Sequence, residues 1–458
     1  MSDYATFVAR KHLRAAHVGF APVDLHPSLF PHQRDTVDFL CRIGRGAAFL
    51  DTGLGKTFVQ LEWARQVVRH SNGRVLVLTP LAVAAQTVRE GEHFGIDAAQ
   101  VHDRDPETPI VVCNYERMDV IDPTAFVGAV LDESSILKSF NGATRTRLID
   151  TFRSAPFRLA CTATPAPNDH MEIGNHAEFL GVMRSAEMLS RFFINDTATA
   201  SQEWRIKRHA VDAFWAWVAS WSRCVAMPSD LGHQDDGFAL PPLDEIRHVV
   251  ATDADPSGDG MLFRVADLSA TGLHREKRRT VSARADHVAA LVASDPAEPW
   301  IVWCDSNDEA DALLVRIPDA VEVRGNMTAD EKERRLLAFS DGAVRVLVTK
   351  PSIAGFGLNW QHCARVAFVG LSYSYEAYYQ AVRRCWRFGQ SRPVQVHQVM
   401  ADSEVPILDA INAKAGAHVE MKDRMRAAMR RAQVPVASLT AYNPQVPMRL
   451  PRFMEHVA

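Results

Sequence analysis

The sequence has no CxxC pair, and its seven cysteines (Cys41, Cys113, Cys161, Cys224, Cys304, Cys363 and Cys385) are scattered and odd in number. That argues against a disulfide framework and against a structural zinc, and for a reducing compartment. The chain also lacks an apolar run of membrane-spanning length. Its opening stretch, MSDYATFVARKHLRAAH, has no apolar core suited to a signal peptide. A cytosolic chain without a membrane partner is expected. There is no strong excess of charge either. The formal net charge is −4, so the global field does not attract phosphate, and any nucleic-acid binding has to come from local patches. Close repeats and low-complexity tracts are missing too.

What is present is an ordinary globular composition, 47% hydrophobic and 23% charged over 458 residues, a length that favours two domains over one core. Two blocks share one rhythm of short apolar strands and amphipathic helices. The first offers GAAFLD (46–51), RVLVLTP (74–80), PIVVCNY (109–115), AVLDES (129–134) and FRLACTATP (157–165). The second offers PWIVWCDS (299–306), AVEVRG (320–325), VRVLVTK (344–350), ARVAFVGL (364–371) and VQVHQVM (394–400). Continuous apolar strands separated by helices predict α/β domains with parallel sheets covered on both faces. Thr328 and Glu331 fit a capping box before KERRLLAF. The expected division is 20–165 for the first domain, 166–298 for a mainly helical insertion and linker, 299–430 for the second domain and 431–458 for a tail. Phe214, Trp217, Val218 and Trp221 fall at helical spacing and read as a buried stripe rather than a base-stacking platform.

LDTGLGKT (50–57) follows an apolar strand and precedes a helical stretch, the context a phosphate-binding loop needs. Gly53 and Gly55 allow close backbone approach to an anion. Lys56 supplies a charge to the outer phosphates, and Thr57 a hydroxyl for Mg²⁺. Leu50 stands where the strict pattern has glycine. AVLDESS (129–135) ends a strand in Asp132, a metal ligand through water, and Glu133, which would orient or deprotonate the attacking water. TATP (162–165) reads either as a plain strand-to-loop turn or as a relay from the nucleotide site to a nucleic-acid site. In YYQAVRRCWRFGQ (378–390), a continuous helix would place Gln380, Arg384 and Arg387 on one face, with Arg383 turned off it toward a surface or DNA role. The local sequence leaves open whether such arginines bind nucleic-acid phosphates or reach across a cleft to a nucleotide.

Taken in order, Gln33 in LFPHQRDTVDFL, then DTGLGKT, LTPLAVAAQ, LDESSILK, TATPAPN, TKPSIAGFGLN and QAVRRCWRFGQ resemble the motifs of superfamily-two helicases and translocases. The final motif, Gln380-x3-Arg384-x2-Arg387-x-Gly389-Gln390, and Lys138 after the acidic motif are similar to the Swi/Snf-type branch. The compact DESS and TATPAPNDHMEIGNHAEFLG look like the forms encoded by bacteriophages and prophages. The resemblance covers roughly residues 20–430. It implies two RecA-like lobes with ATP in the cleft and Mg²⁺ as cofactor. Gln33 becomes an adenine contact, Arg384 and Arg387 become fingers reaching the γ-phosphate from the second lobe, and Gln380 sits beside them. Such fingers tie lobe closure to hydrolysis. The implied setting is the cytoplasm of a prokaryotic host or phage-infected cell. Three departures stand out: Ser135 where the family usually has His or Asp, YSY (373–375) before the final motif, and Lys350 where other branches place an acid.

Thr79 and Pro80, and Thr349 and Lys350, sit at strand ends where the family contacts backbone phosphates. Simple strand-end capping is the other reading. LHREKRRTVSAR (273–284) is the most basic run and reads as a solvated face or as a DNA or lobe–lobe contact. The expected function is an ATP-dependent motor, a monomer tracking along double-stranded DNA with specificity lent by a protein partner. A strand-separating helicase on DNA or RNA and a nucleotide-gated DNA-binding module without turnover are the alternatives.

Overall fold

A computed structural model describes residues 14–80, 83–138, 142–196, 203–250, 270–354 and 359–433. The apolar runs become strands because each alternates its side chains between two covered faces. In the first lobe these are β1 (Arg45–Leu50), β2 (Arg74–Thr79), β3 (Ala98–Gln100), β4 (Ile110–Asn114), β5 (Phe126–Asp132) and β6 (Phe157–Cys161). An antiparallel hairpin, β7 (Phe193–Asp196) and β8 (Glu203–Ile206), stands apart from them, and β9 (Ser222–Val225) follows. The first sheet runs β3-β4-β2-β5-β6-β1-β9, with every recorded pairing parallel. Ala47, Phe49, Leu76 and Leu78 enter one core, while Ala48, Leu50, Val75 and Val77 enter the other on the opposite face. That is the period of two a doubly covered strand requires.

The second lobe repeats the plan with β10 (Leu243–Val250), β11 (Trp300–Trp303), β12 (Ala320–Val323), β13 (Val346–Thr349), β14 (Arg365–Phe368) and β15 (Val394–Ala401), ordered β10-β15-β14-β11-β13-β12, again parallel. Ile301 and Trp303 face one core, Trp300 and Val302 the other. The fold class is therefore the expected one, two parallel-sheet α/β lobes flanked by helices.

The stretch 166–298 is shared between the lobes. Its β9 extends the first sheet beside β1, and its β10 extends the second beside β15. Both are short or half-exposed edge strands, so their apolar signal is weak in the sequence. The aromatic stripe is core, as expected: Phe214, Trp217, Val218 and Trp221 are all buried. The basic run lies in the helix Ala270–Ser294. Two of its cations turn inward, against the reading of a solvated face. Lys277 donates to Asp305 and to the Leu371 carbonyl, both at 2.6 Å, and Arg284 donates to Glu309 at 2.7 Å. Both tie the helix to its own lobe. Thr328 caps the helix Ala329–Ser340 by accepting from the Glu331 N–H, while the Glu331 carboxylate accepts from Arg334 and Arg335. All seven cysteines are free and buried. Among the described residues no helix is long and apolar enough to cross a membrane. The tail beyond 433 lies outside the described residues.

Candidate nucleotide site and inter-lobe cleft

The phosphate loop forms because β1 ends at Leu50 and the next helix starts at Lys56. The turn between them needs left-handed backbone at Gly53 (φ 96°) and Gly55 (φ 75°), where L side chains are strained. A Cβ on Gly55 would also lie 2.0 Å from Gln33 Nε2. Gln33 is buried against the loop. Its Nε2 donates to the Leu54 carbonyl at 3.0 Å, and its Oε1 accepts from the Phe30 N–H at 3.0 Å.

Lys56 points to the end of β5. Its ammonium lies 2.6 Å from Glu133 Oε1 and 3.9 Å from Asp132 Oδ1. Burial acts to depress the Lys56 ammonium, but Glu133 and Asp132 outweigh it and hold it above its ordinary value. Burial pushes the Asp132 carboxyl up, with Lys56 opposing and Glu133 adding to the rise. Gln60 donates to Asp132 at 2.6 Å. Glu133 adopts φ 51°, a left-handed conformation that is uncommon without glycine. Such backbone costs ~1–3 kcal/mol and persists where the surroundings enforce it, often at functional sites. The Thr162 hydroxyl donates to Glu133 Oε2 at 3.3 Å, and the Thr164 N–H donates to Thr162 at 3.1 Å. His176 Nε2 donates to the Pro165 carbonyl at 2.8 Å and fixes the far end of that turn. TATP therefore touches the carboxylate directly.

Glu90 was not anticipated. It sits half-buried on the helix Ala84–His93, with its carboxyl pushed up by desolvation and opposed by Gln86, Arg387 and the Thr57 hydroxyl. Nothing in its helical context marks it, because Arg387 and Thr57 come from two distant segments. Thr57, Asp132 and Glu133 carry oxygen donors of the kind Mg²⁺ prefers, although among the described residues no three His, Cys, Asp or Glu side chains cluster as a preformed metal site.

From the second lobe comes a corrected helix. It spans Tyr375–Val382 and stops there. The next N–H groups shorten to i→i−3 bonds, Arg384 to Ala381 and Cys385 to Val382, and the Arg384 carbonyl is drawn away to the Trp360 N–H at 2.9 Å. Arg387 therefore lies in a turn rather than on the face of Gln380 and Arg384. Arg384 donates to the Gln380 carbonyl at 3.1 Å and to its Oε1 at 3.2 Å. Burial lowers the Arg384 guanidinium, while Glu133 and Asp132 across the cleft pull it back up. Arg387 is lowered to about 9, first by burial and then by the adjacent Arg384, with Glu90 opposing. Arg383 is the second correction. It is buried and lies 3.2 Å from Asp51 at the start of the phosphate loop, so it has no surface role. Phe388 covers the loop, its backbone N 2.8 Å from where a Gly53 Cβ would stand.

Lys138 bridges the lobes to Glu376 at 2.6 Å. A cavity of about 610 Å³ opens between the lobes. It reaches Glu133 and Ser135, and Pro80, Arg89, Arg117, Lys138, Lys332 and Ser352 also line it. Thr79, next to Pro80, is buried at the end of β2. The Thr349 hydroxyl is given to the Val323 carbonyl at 2.9 Å, which leaves Lys350 as the partly exposed side chain at that strand end. Residues 355–358 of the TKPSIAGFGLN motif lie outside the described residues.

Residues 283–389 match the family described as the helicase conserved C-terminal domain. No curated protein matches the chain. Among solved structures, S. cerevisiae Dbp5 bound to RNA and ADP BeF3 is similar, with a TM-score of 0.56 and 13% identity over 87% of this chain and 93% of that one. The family match lies in the second lobe, and the likeness to the solved structure shows the tandem RecA-like fold over both lobes.

Proposed function

We propose that this chain is an ATP-dependent nucleic-acid motor that hydrolyses ATP to move along double-stranded DNA. The observation that carries the reading is the cleft in which the Lys56–Glu133 pair of one lobe, 2.6 Å apart, faces the arginine segment of the other, whose Arg383 lies 3.2 Å from Asp51 and whose Phe388 covers Gly53. Gln33 holds the base end of the nucleotide, and the Gly53–Thr57 loop holds its phosphates. Lys56 moves from Glu133 to the outer phosphates when they arrive, which frees the Glu133 carboxylate to take a proton from the attacking water. The bond from the γ-phosphorus to the bridging oxygen breaks, leaving ADP and phosphate. Mg²⁺, when bound, supplies charge neutralisation beside Thr57 and Asp132. Arg384 and Arg387 stabilise the transferred group, with Gln380 orienting Arg384. Arginine fingers contribute ~10³–10⁵ in rate in related chemistry. Because both come from the second lobe, hydrolysis depends on closure.

Nucleic acid occupies the inter-lobe cavity, with Pro80 and Lys350, beside Thr79 and Thr349, near its backbone. Contacts of this kind are sequence-independent and salt-sensitive. Glu133 itself lines that cavity, and Thr162 holds its other carboxylate oxygen. The duplex-DNA reading and the Swi/Snf-type assignment rest on the spacing of the final motif and on Lys138, and the phage-like assignment rests on DESS and TATPAPNDHMEIGNHAEFLG. The similar solved structure contains RNA, which favours strand separation on RNA as the second reading. The test is steady-state ATP hydrolysis without nucleic acid and with duplex DNA, single-stranded DNA and RNA, at low and moderate salt. Stimulation by duplex alone supports translocation, and preference for single strands or RNA supports the second reading. No hydrolysis under any condition overturns the motor.

A further inference from the structure

The last described helix, Val405–Gln433, belongs to both lobes. Ile407, Leu408 and Ile411 sit in the second-lobe core. Met421, Met425 and Met429 sit in the first-lobe core with Trp217 and Trp221. Farther along, Arg430 pairs with the buried Asp230 at 2.6 Å. Within the first-lobe anchor, beside Met421, Lys422 places its ammonium 3.0 Å from Asp51 Oδ2. Asp51 is the first residue of the phosphate loop after β1. The same oxygen takes Arg383 at 3.2 Å, and Oδ1 accepts from the Tyr379 hydroxyl and from the Thr52 N–H at 2.8 Å.

Two cations thus share one carboxylate, and Asp51, Arg383 and Lys422 are all buried. Burial acts to raise the Asp51 carboxyl, but Arg383, Lys422 and Tyr379 hold it below the usual range. His418, one turn before Lys422, adds no charge, because burial and then Lys422 lower it to about 3. In a protein that never moved, the second cation would be redundant and costly to desolvate. The two cations differ in what carries them. Arg383 follows a helix whose Tyr375, Ala381 and Val382 are second-lobe core. Lys422 is flanked by Met421 and Met425 of the first-lobe core.

We propose that Lys422 is a positioning residue, the resident counter-ion that keeps Asp51 and the phosphate loop in place when the lobes part and Arg383 and Tyr379 leave with the second lobe. The inference rests on the proposed opening and closing of the lobes, and its binding test rests on the nucleotide-site reading as well. The primary test is hydrogen–deuterium exchange of residues 50–57 in nucleotide-free wild type, Lys422→Met, Lys422→Arg and Arg383→Met. Lys422→Met should speed loop exchange about tenfold, with β2 and β4 unchanged, because it removes a charge-assisted hydrogen bond from a local opening unit. Lys422→Arg should restore most protection, and Arg383→Met should loosen the loop less than Lys422→Met. Loop exchange within about twofold of wild type in folded Lys422→Met, a uniform rise across the whole chain, or an equal or greater effect of Arg383→Met each overturns the proposal. Binding of fluorescent ADP should weaken about tenfold in Lys422→Met and recover in Lys422→Arg. If wild type binds no ADP, the nucleotide reading fails, and the exchange comparison still decides the role of Lys422.

Discussion

Replacing Arg387 with methionine separates a functional cation from a structural one. Burial and the neighbouring Arg384 bring the Arg387 guanidinium from 12.5 to about 9. A base whose folded-state value lies below its unfolded one binds its proton more weakly when folded. Carrying the charge then costs the fold stability at every pH below about 9, and the cost fades as pH rises from there toward 12.5. At ~1.4 kcal/mol per pH unit the whole shift would be several kcal/mol. The side chain keeps some contact with water, so ~1–3 kcal/mol is the working figure, in the range seen when buried ions give way to apolar residues. A change of ~1 kcal/mol moves the melting temperature by ~2–4 °C in a domain of this size. Arg387→Met should therefore melt at the wild-type temperature or several degrees higher. Nucleic-acid-stimulated phosphate release should fall by ~10³-fold or more while ADP binding persists. Thermal unfolding at pH 7.5 and a phosphate-release assay read the two quantities on one preparation. A melting temperature several degrees below wild type would refute the stability reasoning. Full stimulated turnover would remove Arg387 from the chemistry.

Glu133→Gln should retain ATP binding and lose turnover by ~10²–10⁴-fold, the range for a positioned general base, and wild-type hydrolysis in a single-turnover assay would reassign the water-orienting residue. Lys56→Ala should lose turnover too, and should lower nucleotide affinity in an equilibrium titration. Glu172 is raised to about 7 by burial, with Asn168 opposing and Glu376 of the other lobe adding to the rise. The folded state therefore binds this proton more tightly between about 4.5 and 7, and its contribution to stability is full below that window and lost as pH rises through it. Unfolding free energies from denaturant curves across pH 4.5–7.5 should fall by up to ~2–3 kcal/mol from this group in wild type and flatten in Glu172→Gln. Gly416 lies between the two anchors of the last helix, with open space where a Cβ would stand. Gly416→Ala should raise stability by ~0.5–1 kcal/mol and slow turnover if the helix flexes there; unchanged kcat would place the flexing elsewhere.

What the sequence made legible was everything carried by short-range pattern. Apolar runs with a period of two became strands, and the glycines of LDTGLGKT became the left-handed turns such a loop needs. Lys56 and Glu133 were each marked by a motif that ends a central strand, but their pairing at 2.6 Å came from the structure. The edge strands β9 and β10 were missed because a four-residue strand and a half-exposed one both carry little apolar periodicity. The helix through Arg387 was overdrawn for a different reason. Its residues favour a helix locally, but Trp360, from a loop twenty-four residues upstream of Arg384, takes a carbonyl the helix would have used. Asp51, Glu90, Arg383 and Lys422 were the hardest to find. Asp51 and Lys422 stand 371 residues apart, and each alone reads as an ordinary surface charge. Their meaning comes from burial, which turns a solvated charge into one that must be paired. Burial at a lobe interface depends on how two independently folding sheets dock, and no local window of sequence encodes that docking. For this chain the phosphate loop and the acidic strand end could thus be read from motifs within one lobe, while the contacts that join the lobes appeared only when both were assembled. That division is what the proposed motor would require, with its chemistry local and its regulation in the distance between its halves.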